Sequence, residues 1–312
     1  MGIHNIDTRT LLSIIKKAGY QRCHHFLASL EKWILPSRVK TQPVTVWIIG
    51  PPRSGTTLLY QILIHQFDFV YFTNFSARFH LAPVITTFLT WPYVRRKSGG
   101  NSFKSFHGLT PGWAGPHEAG PFWYRWFPEG EHVYVAPGET PQRSVTMIRR
   151  IIAGMTAAAG APALFKNTYN SMRIAPIMEA FPQACFLICQ RNPLDTAQSL
   201  LKGRIQARGD KTTWWSLPPR EIDSLKPLPY WEQVVKQVYY TYRQIEKDRE
   251  RYGNHHFLDV RYERLCQEPM RVIDEIEAFL KANNIPLCRK SAALPDSFPL
   301  STGKQVDDDD YQ

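Results

Sequence analysis

The sequence has no C-x-x-C pair and no apolar run long enough to cross a bilayer. Its five cysteines (Cys23, Cys185, Cys189, Cys266, Cys288) are odd in number and scattered, which argues against a disulfide framework or a zinc site and for a reducing compartment. The longest apolar stretch, Leu81 to Val94, is interrupted by Pro83 and Pro92. The N-terminus lacks the apolar core and small-residue cleavage site of a signal peptide, and Ile6 stands where a myristoylation signal wants Ser or Thr. A cytoplasmic location is expected, peripheral to the inner membrane face if the N-terminal segment touches lipid. Zinc-finger spacing and RNA-recognition boxes are missing, so no nucleic-acid partner is expected, although the net charge is +11. That charge instead fits an anionic ligand, an acidic substrate or a membrane surface.

What is present centres on Val44 to Leu59, V-T-V-W-I-I-G-P-P-R-S-G-T-T-L-L. Val44 to Ile49 reads as a strand buried on both faces, Gly50 to Thr57 as a turn, and Leu58 to Phe67 as a helix. This layout aims backbone N–H groups and the positive end of a helix dipole at an anion. Gly50 and Gly55 have the spacing of a nucleotide phosphate loop, but Thr56 occupies the position of its lysine and Arg53 is the loop's only cation. A phosphorylated ligand other than a metal-bound nucleoside triphosphate is therefore expected.

The hydrophobic fraction of 43% in 312 residues supports a sizeable core. Strands at Phe69 to Asn74, Ala163 to Lys166, Cys185 to Gln190 and His256 to Val260 alternate with helices, which predicts an α/β fold with a parallel sheet. Residues 1–40 have near-helical apolar spacing and several cations; the segment is expected to be helical and to pack on its own domain, the alternative being a membrane surface. Two irregular stretches rich in aromatics, 95–127 and 205–228, read as loops over a site, the second as a mobile flap. Residues 305–312 form an acidic tail expected to be disordered. Lys166 and Arg191 end two strands, which places them with Arg53 along one sheet edge, where ligands bind in such folds.

Three stretches together resemble the sulfotransferases that use 3′-phosphoadenosine 5′-phosphosulfate (PAPS), of the bacterial, carbohydrate and tyrosylprotein type: G-P-P-R-S-G-T-T-L-L at 50–59, F-P-Q-A-C-F-L-I-C-Q-R-N-P-L-D-T-A-Q-S-L-L at 181–201 and V-R-Y-E-R-L-C-Q-E-P at 260–269. The resemblance implies a three-layer P-loop-type fold with a mostly parallel sheet of about five strands flanked by helices, the sulfotransferase domain spanning 41–304. It implies that Arg53, Ser54, Gly55, Thr56 and Thr57 hold the 5′-phosphosulfate, that Arg191 and Ser199 grip the 3′-phosphate, and that Tyr262 meets the base. Lys166 matches the family's strand lysine, and Ser301, Gly303 and Lys304 its closing loop, with Gln305 where the family often has Trp. Transfer to an acceptor hydroxyl (a sugar, glycolipid, or other small alcohol or phenol) needs no metal. It does need a base, for which Glu118, His117 and His107 are candidates; catalytic roles also fall to Arg53 and Lys166. The competing reading of Glu118 is a plain ion pair with Arg125 or another surface cation. The rival functions are a P-loop kinase or NTPase, with Asp259 as its acid, and a basic membrane-surface or nucleic-acid-binding protein with a vestigial loop.

Overall fold

The computed structural model describes residues 8–35, 39, 42–97, 103–105, 108–127 and 130–311, with side chains from residue 19 onward other than that of Lys97. Its sheet contains β1 (Thr45–Ile49), β2 (Ala163–Lys166), β3 (Cys185–Gln190) and β4 (Phe257–Arg261), all parallel, in the order β2-β1-β3-β4. β1 and β3 are continuous apolar runs buried along nearly their whole length, as central parallel strands must be. β4 buries Phe257 and Val260 but leaves Asp259 and Arg261 exposed, as a strand at the edge of the sheet allows.

The helices are α1 (Thr8–Ile34), α2 (Thr56–Gln66), α3 (Asn74–Arg78), α4 (Pro83–Lys97), α5 (Gly120–Trp123), α6 (Gln142–Ala159), α7 (Ile174–Ala180), α8 (Pro193–Arg208), α9 (Ile222–Leu225), α10 (Tyr230–Tyr252), α11 (Tyr262–Gln267), α12 (Pro269–Ala282) and α13 (Asp308–Tyr311). They flank the sheet, giving the P-loop-type α/β architecture. Among the described residues no helix is long and apolar enough to cross a membrane.

Of the five strands expected, the one at Phe69 to Asn74 does not form. Phe69 to Thr73 are buried, but only Val70 bridges to the sheet, at Ala163. Thr73 instead turns to Pro116, the His117 N–H donates to the Phe72 carbonyl, and Thr73 and Ser76 form a capping box that starts α3. Backbone groups meant for a fifth strand thus fasten the segment that carries Glu118. Burial of Phe122, Trp123 and Phe127 holds the same segment from its other end, each ring contributing roughly 2 kcal/mol or more. Trp47 on β1 meets the rings of Trp123, Phe165 and Phe181 beneath the site, with ring centroids 4.9 to 6.0 Å away.

α1 is fastened to the body by polar contacts. The two oxygens of Glu31 accept from the N–H groups of Val84 and Ile85 in the first turn of α4, at 2.8 and 2.9 Å, and His24 accepts from the Leu81 N–H. The expected flap at 205–228 is shorter and better anchored than the sequence suggests. α8 runs on to Arg208, Leu217 is fully buried, and the Gln237 amide donates to the carbonyls of Trp215 and Leu217. The acidic tail, expected to be disordered, ends in the α13 turn. Asp310 is drawn in by opposite charge, pairing with Lys211 at 2.8 Å and accepting from the Tyr230 hydroxyl.

Candidate active site

The turn after β1 is shaped by backbone bonds within itself and to one distant serine. Ser171 Oγ accepts from the Gly50 N–H (2.9 Å) and donates back to the Gly50 carbonyl (3.1 Å). Ser54 is fully buried and its hydroxyl donates to the Pro51 carbonyl, so it shapes the loop and does not line the cavity. Gly55, with φ of 95°, caps α2 without any side-chain acceptor. The N–H groups of Thr56, Thr57 and Leu58 therefore begin the helix without helical partners, and all three residues line the cavity.

Around this turn lies a cavity of about 420 Å³. Lys166, the last residue of β2 and in register with Ile48, donates through Nζ to Thr57 Oγ1 at 3.0 Å and forms an ion pair with Glu118. Lys166 is buried while the Glu118 side chain stays 33% exposed, so only the ammonium side of the pair is out of water. Arg53 Nε donates to Ser199 Oγ at 3.1 Å across 146 residues of sequence. Arg191, one residue beyond β3, donates to the Arg53 carbonyl at 2.7 Å and to the Ser301 carbonyl, and its guanidinium lies 4.8 Å from the Tyr262 ring centre. Burial, and then the adjacent Arg191, push the Arg53 guanidinium below its usual pKa. No carboxylate pairs with either arginine among the described residues, and the buried Nε of Arg191 has no hydrogen-bond partner.

Other predicted residues are placed differently. Gly303 N–H donates to Asp195 Oδ1 at 3.1 Å, and Lys304 pairs with Asp308 in the tail; neither lines the cavity, while Ser301 does. The Gln305 N–H donates to Gln198, tying this segment to α8. His117 lies off the cavity lining, with Nδ1 accepting from the Ala119 N–H at 2.8 Å and its pKa lowered chiefly by burial. His107 lies outside the described residues. Glu118 lines the cavity, its carbonyl held by Trp123 Nε1 and Asn167 Nδ2. Its partner is Lys166 and not Arg125, which donates to the His80 carbonyl and stacks on Trp126. Asp259, the acid a kinase reading would need, accepts from Gln190 and Arg249 instead of facing the loop.

Phe298 and Pro299 complete the lining without any sequence signal, Phe298 packing edge-on against Phe103 at 5.1 Å. Thr168, Trp215 and Ser216 close other sides. Ser171 was also unforeseen; nothing in its local sequence marks a partner 121 residues away.

The profile described as sulfotransferase family matches residues 43–284. The chain belongs to the sulfotransferase family. No curated protein matches it. Among solved structures it is similar to sulfotransferase STF9 from Mycobacterium avium, with 17% identity and a TM-score of 0.55 over 84% of this chain and 68% of that one. It is also similar to sulfotransferase STF1 from Mycobacterium tuberculosis H37Rv, with 13% identity and a TM-score of 0.51 over 83% and 73% of the respective chains. At such identities the likeness is one of fold. In this sulfotransferase-family chain the site sits at the carboxyl ends of β1, β2 and β3, and its cations face a turn that offers free N–H groups. Among the described residues no group of three His, Cys, Asp or Glu side chains is arranged to hold a metal ion.

Proposed function

We propose that the protein transfers the sulfuryl group of PAPS to an acceptor hydroxyl. One observation carries this reading: Arg53 of the phosphate turn and Ser199 of the distant second motif meet at 3.1 Å, with Arg191 bonded to the same turn. A nucleotide with phosphates on both its 5′ and 3′ sides needs two anion sites a few ångströms apart. The uncapped start of α2 suits one, and the unpartnered Arg191 Nε, backed by a second arginine without a counter-ion, suits the other.

Bound PAPS supplies a sulfuryl group activated by its phosphate leaving group. The N–H groups of Thr56 and Thr57 and the ammonium of Lys166 oppose the negative charge that grows on that phosphate. Arg191 and Ser199 hold the ribose phosphate, Arg53 of the turn serves the 5′-phosphosulfate while bonded to Ser199, and Tyr262 stands beside them for the base. Glu118 accepts the proton from the acceptor hydroxyl. An anion at Thr57 competes with Glu118 for the Lys166 ammonium, so donor binding loosens the ion pair and leaves the carboxylate available. Phe103, Trp215 and Phe298 offer flat apolar walls, which suit a sugar, lipid-linked or aromatic acceptor.

The test is a screen for transfer of labelled sulfate from PAPS to sugars, glycolipids, phenols and peptides, run beside nucleotide binding by thermal shift. Stabilisation by adenosine 3′,5′-bisphosphate and not by ATP with magnesium is expected. Glu118→Gln should abolish turnover and leave bisphosphate affinity nearly unchanged. Stabilisation by ATP with magnesium alone would overturn the reading.

A further inference from the structure

The positive charge of this chain is concentrated on one group of helices. By sequence α1, α4 and α6 carry eleven Lys and Arg residues and a single acid, Glu31, a net of +10 in a chain whose total is +11. The rest of the protein is close to neutral. Glu31 does not offset this charge outward, because both its oxygens are turned onto the amides of Val84 and Ile85.

The same helices expose apolar side chains that globular surfaces usually cover. Among the described residues, seven of the sixteen large hydrophobic side chains left exposed lie on α1 and α4. Phe26, Leu30, Trp33 and Ile34 recur at i, i+4, i+7 and i+8, so they form one stripe along α1, and Trp33 is 88% exposed. The stripe lies apart from the positions of His24 and Glu31, which face the body. Phe88, Leu89 and Tyr93 stand out from α4 within a few turns of the contact that Glu31 makes. Beside α1, a cleft of about 710 Å³ collects Lys32, Arg125, Arg143 and Arg150 over apolar side chains that include Met147 and Ile151.

We infer that this face docks on an anionic lipid surface. Aromatic and aliphatic side chains enter the boundary between headgroups and acyl chains, while Lys32, Arg125, Arg143 and Arg150 of the cleft meet lipid phosphates. Arg95, paired with Asp68, and Arg149, turned onto the carbonyls of Glu179 and Ala180, take no part. A helix fixed by its polar face to the domain presents its stripe in one orientation, which reduces the ordering needed on binding. The inference goes beyond the sulfuryl transfer proposed above and does not depend on it.

Sedimentation of the full chain with phosphatidylcholine vesicles, with and without phosphatidylglycerol, tests it. Binding is expected only when phosphatidylglycerol is present and should fall steeply with added salt. Trp33→Ser should weaken it about tenfold, and Arg143→Glu roughly fivefold or more. Both positions are exposed, so an unchanged thermal midpoint will show that each variant is folded. Failure to sediment with the anionic vesicles, equal binding to both vesicle types, or wild-type binding by both variants would each overturn the inference. So would binding to duplex nucleic acid in the absence of any vesicle binding.

Discussion

The Tyr262 ring occupies the space that a Cβ on Gly55 would need, and Gly55 itself has a φ of 95°. Residue 55 is thus confined to glycine by both backbone and neighbour. Gly55→Ala must displace Tyr262 and strain the cap of α2 together. We expect a loss of about 1–3 kcal/mol in stability and at least a tenfold loss in affinity for adenosine 3′,5′-bisphosphate. Urea unfolding and calorimetric titration will measure the two, and a variant with native affinity would show that Tyr262 moves aside freely.

Arg191→Met should act on one end of the ligand only. It removes a charge-assisted contact of about 1.5–3 kcal/mol, so bisphosphate affinity should fall roughly tenfold to a hundredfold. Adenosine 5′-monophosphate, which lacks the second phosphate, should bind wild type and variant alike. An equal loss for both nucleotides would mean that Arg191 shapes the turn, through its bond to the Arg53 carbonyl, and does not hold a phosphate.

Lys166→Met separates chemistry from binding. Its Nζ bridges Thr57 and Glu118 at the place where leaving-group charge is expected. Turnover should drop by about a hundredfold to a thousandfold, as for loss of a transition-state donor, with a smaller change in KM. The substitution also leaves Glu118 without its cation, so the rate of the double variant with Glu118→Gln should show strong non-additivity.

Stability should fall as pH rises toward neutrality because of Glu31. Burial pushes its carboxyl up from 4.5 to about 7, against the two amide bonds that act to lower it. Between those values the native state keeps a proton that the unfolded chain has released. The resulting stabilisation is complete below pH 4.5 and is lost as pH climbs through 7. It amounts to ~3 kcal/mol at most. Urea unfolding across this range should show the decline, and Glu31→Gln should flatten it. An identical slope in the variant would assign the effect elsewhere.

The site could be seen in the sequence wherever its signals were local. The turn from Gly50 to Thr57 follows from a β-branched run, two glycines and a helix in succession, and Arg191 stands between a buried run and Pro193. Phe69 to Asn74 misled because burial alone does not fix backbone pairing. Its residues are as apolar as a strand requires, yet the capping box at Thr73 and Ser76 and the chain at 115–117 claim its hydrogen bonds. Gly303 and Lys304 are matched by motif, but neither lines the cavity: Lys304 pairs locally with Asp308, four residues on, while Gly303 is held by Asp195, 108 residues away, a partner no spacing rule reports. The same is true of Phe298, whose place beside Phe103 depends on the path of the whole chain.

The floor of the cavity belongs to three neighbouring strands, which deliver the turn, Lys166 and Arg191, whereas Phe103, Trp215 and Phe298 hang from connections. On the proposed function, grip and choice are accordingly carried by separable parts of the chain. Transplanting the connections between sulfotransferases of this architecture should retarget the molecule to a new alcohol while its hold on the donor stays intact, which makes those three aromatic positions the place to begin an engineering library.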